Sequence, residues 1–274
     1  MSHSPGTVYI PTLSRLDMLE KTVPRWLEQD LAIRLVVPPA QDMAHRELRA
    51  DMGWPYPDVR IICLPHKLSY GLGAARNYIV RHAARRGLKA IIISDDDHRP
   101  KRGTNMWDLI AAAMDPDALG VGASRSLTDR FNSGALTKNH GVILCPGGWG
   151  FTVFGLNVDN AVWCGNFDKA LHTFADDAEL ARQGITRGLI WRIHCDVWIE
   201  QMNNRYDPGG MNSLFGEDVE KRRESEKENL RLLYSRWPDY VAPPDRKYRM
   251  AWSKMLTDYI PDWKERSALH GGSL

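Results

Sequence analysis

The sequence predicts an α/β domain with a largely parallel central sheet, followed by a C-terminal helical extension. Three observations carry this prediction. Four short β-branched runs alternate with helical stretches across the first hundred residues. Prolines stand beyond the end of each run, as they do where a strand must stop. The fourth run ends in three consecutive carboxylates, Asp95-Asp96-Asp97, and parallel sheets bind ligands outside the carboxyl ends of their strands.

Residues 7–10 (TVYI) read as the first strand, and Pro11-Thr12-Leu13-Ser14-Arg15 breaks it. Leu16, Leu19, Val23, Trp26 and Leu27 then recur at helical spacing, with Pro24 placed to kink or divide that helix. Residues 33–37 (IRLVV) form the second strand, closed by Pro38-Pro39. A short helix over 41–52 and the loop 53–57 (GWPYP) lead to the third strand, 59–64 (VRIICL). Gly71-Leu72-Gly73 opens a helix from 74 to 86. Ile91, Ile92 and Ile93 make the fourth strand, which must finish before Pro100 because proline donates no ladder hydrogen bond. The loops 11–15, 38–40, 64–73 and 95–97 therefore meet at one sheet edge.

Beyond residue 100 the pattern is less regular. Residues 106–114 read as a helix, 119–123 as a strand and 125–140 as a polar loop. Segments 141–144 and 150–154 look like the arms of a hairpin around Pro146-Gly147-Gly148. Residues 174–184 (FADDAELARQG) begin acidic and end at glycine, as a helix does. Residues 189–193 then form a strand with His194 just beyond it. From residue 201 turn-formers dominate up to Asn212, and a charged helix runs from 217 to about 236 with an apolar stripe at Leu230, Leu233 and Trp237. The chain thus divides into a domain over 1–200 and an extension over 201–274 packed on it. That extension interleaves Trp237, Tyr240, Tyr248 and Trp252 with Arg246, Lys247, Arg249 and Lys254. The mix suits a nucleic-acid strand as well as it suits a basic helix packed on the core.

Composition narrows the function classes. A chain of 274 residues with 43% hydrophobic content and 10 tryptophans can bury a substantial core. Its 36 basic and 34 acidic residues leave a net charge of +2, so any surface for a polyanion must be a local patch. Cys63, Cys145, Cys164 and Cys195 show no metal-ligand spacing, which points to free thiols. No stretch reads as an export signal or a membrane span, and none demands an obligate protein partner, so a cytoplasmic protein is expected.

The acid triplet carries the chemistry. In an extended backbone Asp95 and Asp97 share one face and Asp96 the other. Two carboxylates about 5 Å apart repel by roughly 1 kcal/mol in water and roughly 3 kcal/mol at a surface-like dielectric. A divalent cation turns that repulsion into binding energy, and magnesium or manganese sites combine such carboxylates with substrate phosphates. The competing reading is a solvated acidic turn. Arg15 and Arg76 have two readings of the same kind, pairing with phosphates or pairing with the acids themselves.

Five segments in order, YIPTLSR, GLGAARNYIVRHA, IISDDDHRP, FADDAELARQG and GLIWRIH, make residues 8–194 resemble the GT-A nucleotide-sugar glycosyltransferases, in particular their large inverting family. The opening, the DDDHRP variant and the compact length resemble, more narrowly, the TET-associated glycosyltransferases of bacteriophages. The resemblance implies a GT-A fold, with a Rossmann-like sheet covered by helices on both faces. It implies that Pro11, Thr12, Arg15, Gly71, Gly73, Arg76, Asn77, Asp95 and Asp96 meet the nucleotide. It implies that Asp95, Asp97 and His194 hold Mn2+ or Mg2+. Asp177, or Asp176 beside it, becomes the base, with Glu217 in the similar segment GEDVE as a rival. Their other reading is the cap of the helix that follows.

The donor implied is a nucleotide diphosphate sugar, a UDP-sugar. The acceptor implied is the hydroxymethyl group of 5-hydroxymethylcytosine in DNA. Lys101 and Arg102 have two readings, a solvated turn or a contact with DNA at the rim of the site. A small-molecule, lipid or polysaccharide acceptor is the alternative, as is a non-catalytic nucleic-acid-binding module on the same scaffold. One departure from the family is plain: Pro38-Pro39-Ala40 stand where an acid often holds the nucleotide base.

Overall fold

A computed structural model describes residues 6–65, 71–125, 142–144, 152–165, 167–168, 170–171, 176–202, 208, 210–241 and 252–265. The β-branched runs form β1 (Thr7–Pro11), β2 (Ala32–Val37), β3 (Val59–Cys63) and β4 (Ala90–Ser94). Between them lie α1 (Leu16–Leu27), α2 (Asp42–Asp51) and α3 (Leu72–Arg85). These four strands pair in parallel in the order β3-β2-β1-β4. The chain winds outward from β1 to β3 and then returns to place β4 on the other side of β1. The switch in direction falls between β1 and β4, and open α/β sheets bind ligands outside the carboxyl ends of the strands at such a point.

The strands bury both faces, so alternate residues serve two cores. Tyr9, Ile91 and Ile93 pack into one cluster under α3, and Val8, Ile10, Ala90 and Ile92 into the other with α1 and α4 (Trp107–Ala113). Pro24 lies inside α1 without dividing it. Val23 and Trp26, both fully buried, fix its last turn on the sheet.

The second half departs from the expected pattern. Among the described residues the remaining strands are β5 (His98–Pro100), β6 (Ala118–Arg125), β7 (Val142–Leu144), β8 (Val153–Asn157) and β9 (Ile190–Gln201), completing a nine-stranded sheet. It is mixed rather than largely parallel from β4 onward: β8 inserts antiparallel between β4 and β6, and β6 pairs in parallel with β9. The expected hairpin of 141–144 with 150–154 does not form, because β7 pairs with β9 while β8 fills the gap between β4 and β6. The turn expected at 146–148 and the polar loop beyond Arg125 lie outside the described residues. β9 continues through His194, which sits at a bulge: Ala123 pairs with His194, and Ser124 pairs next with Trp198. A short helix not expected from the sequence, α5 (Val158–Trp163), is capped by Asn157, whose side chain accepts the Asn160 amide.

The remaining helices are α6 (Asp176–Ile185), α7 (Val219–Arg236) and α8 (Trp252–Tyr259). Leu233, Met255, Leu256, Ile260 and Trp263 share one apolar cluster with Ala178, Leu180 and Ile185 of α6. The described part of the aromatic-basic tail is engaged in packing: Trp263 is buried, and Asp258 takes both Lys254 and the Tyr240 hydroxyl. Arg246, Lys247, Tyr248 and Arg249 lie outside the described residues. Among the described residues no helix is long and apolar enough to cross a membrane.

Candidate active site

The acid triplet occupies a tight turn at the carboxyl end of β4, closed by the His98 amide donating to the Asp95 carbonyl (3.3 Å). A turn, rather than an extended segment, brings Asp95 and Asp97 together. Helix α1 pins this turn from below: Thr22 donates to the Asp96 carbonyl (3.1 Å) and the Trp26 indole to the His98 carbonyl (3.1 Å). Ser14, at φ 57°, takes the left-handed conformation that aims the next residue, Arg15, back at the acids.

One arginine holds each side of the triplet. Arg15 donates from one nitrogen to Asp96 (3.2 Å) and to Asp97 (3.1 Å). Thr12 donates to the other oxygen of Asp96 (2.9 Å). Arg76, buried in the first half of α3, donates to Asp95 (3.3 Å) and to Asp176 (2.9 Å). Two acidic motifs that stand 81 positions apart (176 minus 95) thus meet on one guanidinium.

The residues expected to meet the nucleotide therefore turn their polar atoms to the protein. Asp96 is buried on Thr12 and Arg15, which makes it a structural member of the turn. The Asn77 amide clasps Phe167, donating to its carbonyl (2.6 Å) and accepting its N–H (2.7 Å). Gly73 lets the same loop approach α3, since a Cβ there would lie 2.6 Å from the Asp168 carbonyl oxygen. Gly71, at φ 93°, starts the helix. Pro11, the last residue of β1, is half-buried.

Among the described residues, the metal-ligating groups that come together are Asp95, Asp97 and His98, with ligand atoms all within 4.8 Å of one another. His194 is not among them; its Nδ1 faces the Asp196 amide (3.4 Å). β5 pairs His98 with Gln201, seven residues further along β9 (201 minus 194), which accounts for the separation. The sequence signal for His98 was present in DDDH itself, one position after Asp97. His98 is 1% exposed; its Nδ1 lies 2.6 Å from Asp97 Oδ1, and its Nε2 has no hydrogen-bond partner. A buried ring nitrogen that makes no hydrogen bond fits a cation better than a closed polar network. Carboxylate oxygens suit magnesium or manganese, and an added imidazole favours the transition metal.

Burial sets the proton affinities. It pushes Asp96 up to about 7 against the pull of Arg15. Burial acts in the same direction on Asp97, but the His98 ring and Arg15 beside it hold that carboxyl below its usual range. At the start of α6, burial lifts Asp176 to about 6 against the pull of Arg76, and it lifts Asp177 as well. Asp177 accepts the Ala178 amide (2.8 Å) and is 7% exposed, against 1% for Asp176. Glu217 lies instead in an exposed turn at φ 63°, beside Asp218, which caps α7 by accepting the Glu220 and Lys221 amides.

The arrangement matches known proteins. Residues 7–112 match the family model described as TET-Associated Glycosyltransferase. The fold resembles that of a mannosyltransferase from Pyrobaculum calidifontis, solved in complex with GDP-Man and Mn2+. That likeness has a TM-score of 0.60 at 18% identity and covers 100% of this chain and 79% of the other. No curated protein matches the chain. The fold is that of a GT-A glycosyltransferase, and the family description matched over residues 7–112 is also that of a glycosyltransferase. The family match is confined to residues 7–112, the part of the chain that carries β1 to β4 and the acid triplet.

Proposed function

We propose that this chain transfers a sugar from a nucleotide diphosphate sugar, a UDP-sugar, to the hydroxymethyl group of 5-hydroxymethylcytosine in DNA, with inversion. The observation that carries the reading is the meeting of the two acidic motifs on Arg76, which sets a donor-side carboxylate beside an acceptor-side one. The family description supports a DNA acceptor. The structural neighbour, bound to GDP-Man and Mn2+, supports a nucleotide-sugar donor and a divalent metal, and makes GDP-sugars the rival donors.

Asp95, Asp97 and His98 would hold the cation, which would offset the negative charge that grows on the departing diphosphate. Arg15 keeps Asp97 ionised for that task. Asp177 takes the proton of the acceptor hydroxyl as its oxygen attacks the anomeric carbon and the bond to the diphosphate breaks. Burial raises the affinity of Asp177 for that proton. Arg76 fixes the adjacent Asp176 and so orients the first turn of α6.

The test is mass spectrometry of hydroxymethylated and unmodified duplex DNA after incubation with a panel of UDP- and GDP-sugars and manganese. One added sugar on the hydroxymethylated base alone is expected. No gain with any donor rules the reading out.

A further inference from the structure

We infer that a patch of arginines around the outer strands β2 and β3 and the end of α3 is a foothold for the phosphate backbone of duplex DNA, separate from the acidic centre. Arg34 and Arg60 stand side by side in register on β2 and β3, in the row that continues to Tyr9 and so faces α3. Arg60 and Arg49 both stack on Tyr56, at 4.9 and 5.5 Å from the ring centre, and Tyr56 is 66% exposed. Arg85 and Arg86, both exposed, end α3 close to Arg34. β3 is a sheet edge, so the patch is open to solvent.

These arginines differ from those that bear on the acidic centre. Arg34 spends one nitrogen on the backbone carbonyls of Ile33, Pro57 and Asp58. Among the described residues none of the group pairs with a carboxylate within salt-bridge distance, and the Tyr9 hydroxyl and, after it, Asp58 oppose the repulsion on Arg34 only in part. The negative end of α3 accounts for Arg85 and Arg86. It does not account for Arg34 beside Arg60, since like charges on neighbouring strands are destabilising. Burial, and next the proximity of Arg60 and Arg86, hold the Arg34 guanidinium below its usual affinity for a proton.

A polyanion relieves that repulsion. Guanidinium forks match phosphate oxygens two at a time. The inference rests on the DNA reading proposed above, and it answers a difficulty in it: the acidic centre repels a phosphate backbone, and a net charge of +2 offers no general attraction. The patch gathers towards the amino ends of β2 and β3, about 10 Å along the strands from their carboxyl edge and, at β2, two strands to the side of β4. It therefore holds a stretch of duplex other than the one at the reacting base.

The experiment measures binding of the full chain to unmodified duplex DNA by fluorescence anisotropy across a salt series, without metal or donor. Three proteins are compared: the parent, Arg49→Ala/Arg60→Ala/Arg86→Ala, and the same positions changed to Lys. The alanine variant is expected to bind about tenfold or more weakly at low salt, with a salt slope reduced by about 0.9 for each phosphate that is no longer neutralised. The lysine variant is expected to keep most of the parent slope. Equal affinity and slope for parent and alanine variant overturns the patch, as does a parent that does not bind. Parent binding that disappears in the alanine variant, with no sugar transfer by any protein, supports the patch and counts against the transferase reading on DNA.

Discussion

Two edges of one sheet use arginine in opposite ways. At the carboxyl edge Arg15 and Arg76 are buried, and each is shared between two carboxylates. Towards the amino ends of β2 and β3, the arginines around Tyr56 and the end of α3 are half-buried or exposed, with no carboxylate within salt-bridge distance among the described residues. The first arrangement organises a reacting centre, and the second leaves charge available to a partner. A guanidinium by itself signals neither role; burial and the nearest acid decide.

The sharpest way to break the comparison is to remove a buried brace. Arg76→Met leaves Asp95 and Asp176 without their cation, and deleting one partner of a buried ion pair costs about 3–5 kcal/mol. Urea denaturation of the metal-free protein should show a loss of that size; a loss under about 1 kcal/mol contradicts the brace. Asp96→Ala strands Thr12 and Arg15 and should cost about 2 kcal/mol, so the middle acid is far from the most dispensable of the three. Asp97→Asn should weaken manganese binding, read by calorimetry, by about tenfold or more, and it should also cost stability, because it neutralises the buried partner of Arg15. Unchanged affinity in Asp97→Asn removes it from the proposed ligand set.

Proton linkage separates the same edge from the rest of the chain. Folding raises the pKa of Asp96 to about 7 and of Asp176 to about 6, chiefly through burial. A carboxyl with a raised folded pKa stabilises the fold fully below its unfolded value, and that contribution is lost as pH climbs through the folded value. Three histidines, His45, His82 and His194, whose proton affinity burial lowers, work the other way over the same range. The test is therefore a difference: in urea, the stability of metal-free Asp96→Asn relative to the parent should rise between about pH 4 and 7. No change in that difference contradicts the burial argument. The smallest effect belongs to the other edge: Arg49→Ala/Arg60→Ala/Arg86→Ala should shift stability by no more than about 0.5 kcal/mol per site, as surface substitutions do.

Much of the carboxyl edge was legible because its pieces are local. Ile91 to Ile93 mark a buried strand, Pro38 and Pro100 mark ends, and three adjacent acids need no partner to be noticed. What was not legible depends on which strands meet. Arg76 stands 100 positions before Asp176, so nothing local distinguishes a brace from a phosphate ligand. β8 passes over β7 to fill the space beside β4, a choice of neighbour that alternation alone does not encode. His194 follows an apolar run and resembles a ligand, yet the turn that closes on Asp95 carries His98 into the group instead. The arginine patch escaped notice for the same reason, since Arg34, Arg60 and Arg86 are scattered until the sheet aligns them.

The division of labour between the edges is tested most directly by measuring sugar transfer to two acceptors, hydroxymethylated duplex DNA and the free hydroxymethylated nucleoside. Asp177→Asn should lose transfer to both, because the acceptor proton has nowhere to go. Arg49→Ala/Arg60→Ala/Arg86→Ala should keep transfer to the nucleoside and lose it on the duplex at moderate salt. Full activity of Asp177→Asn, or equal losses on both acceptors in the arginine variant, would contradict the account.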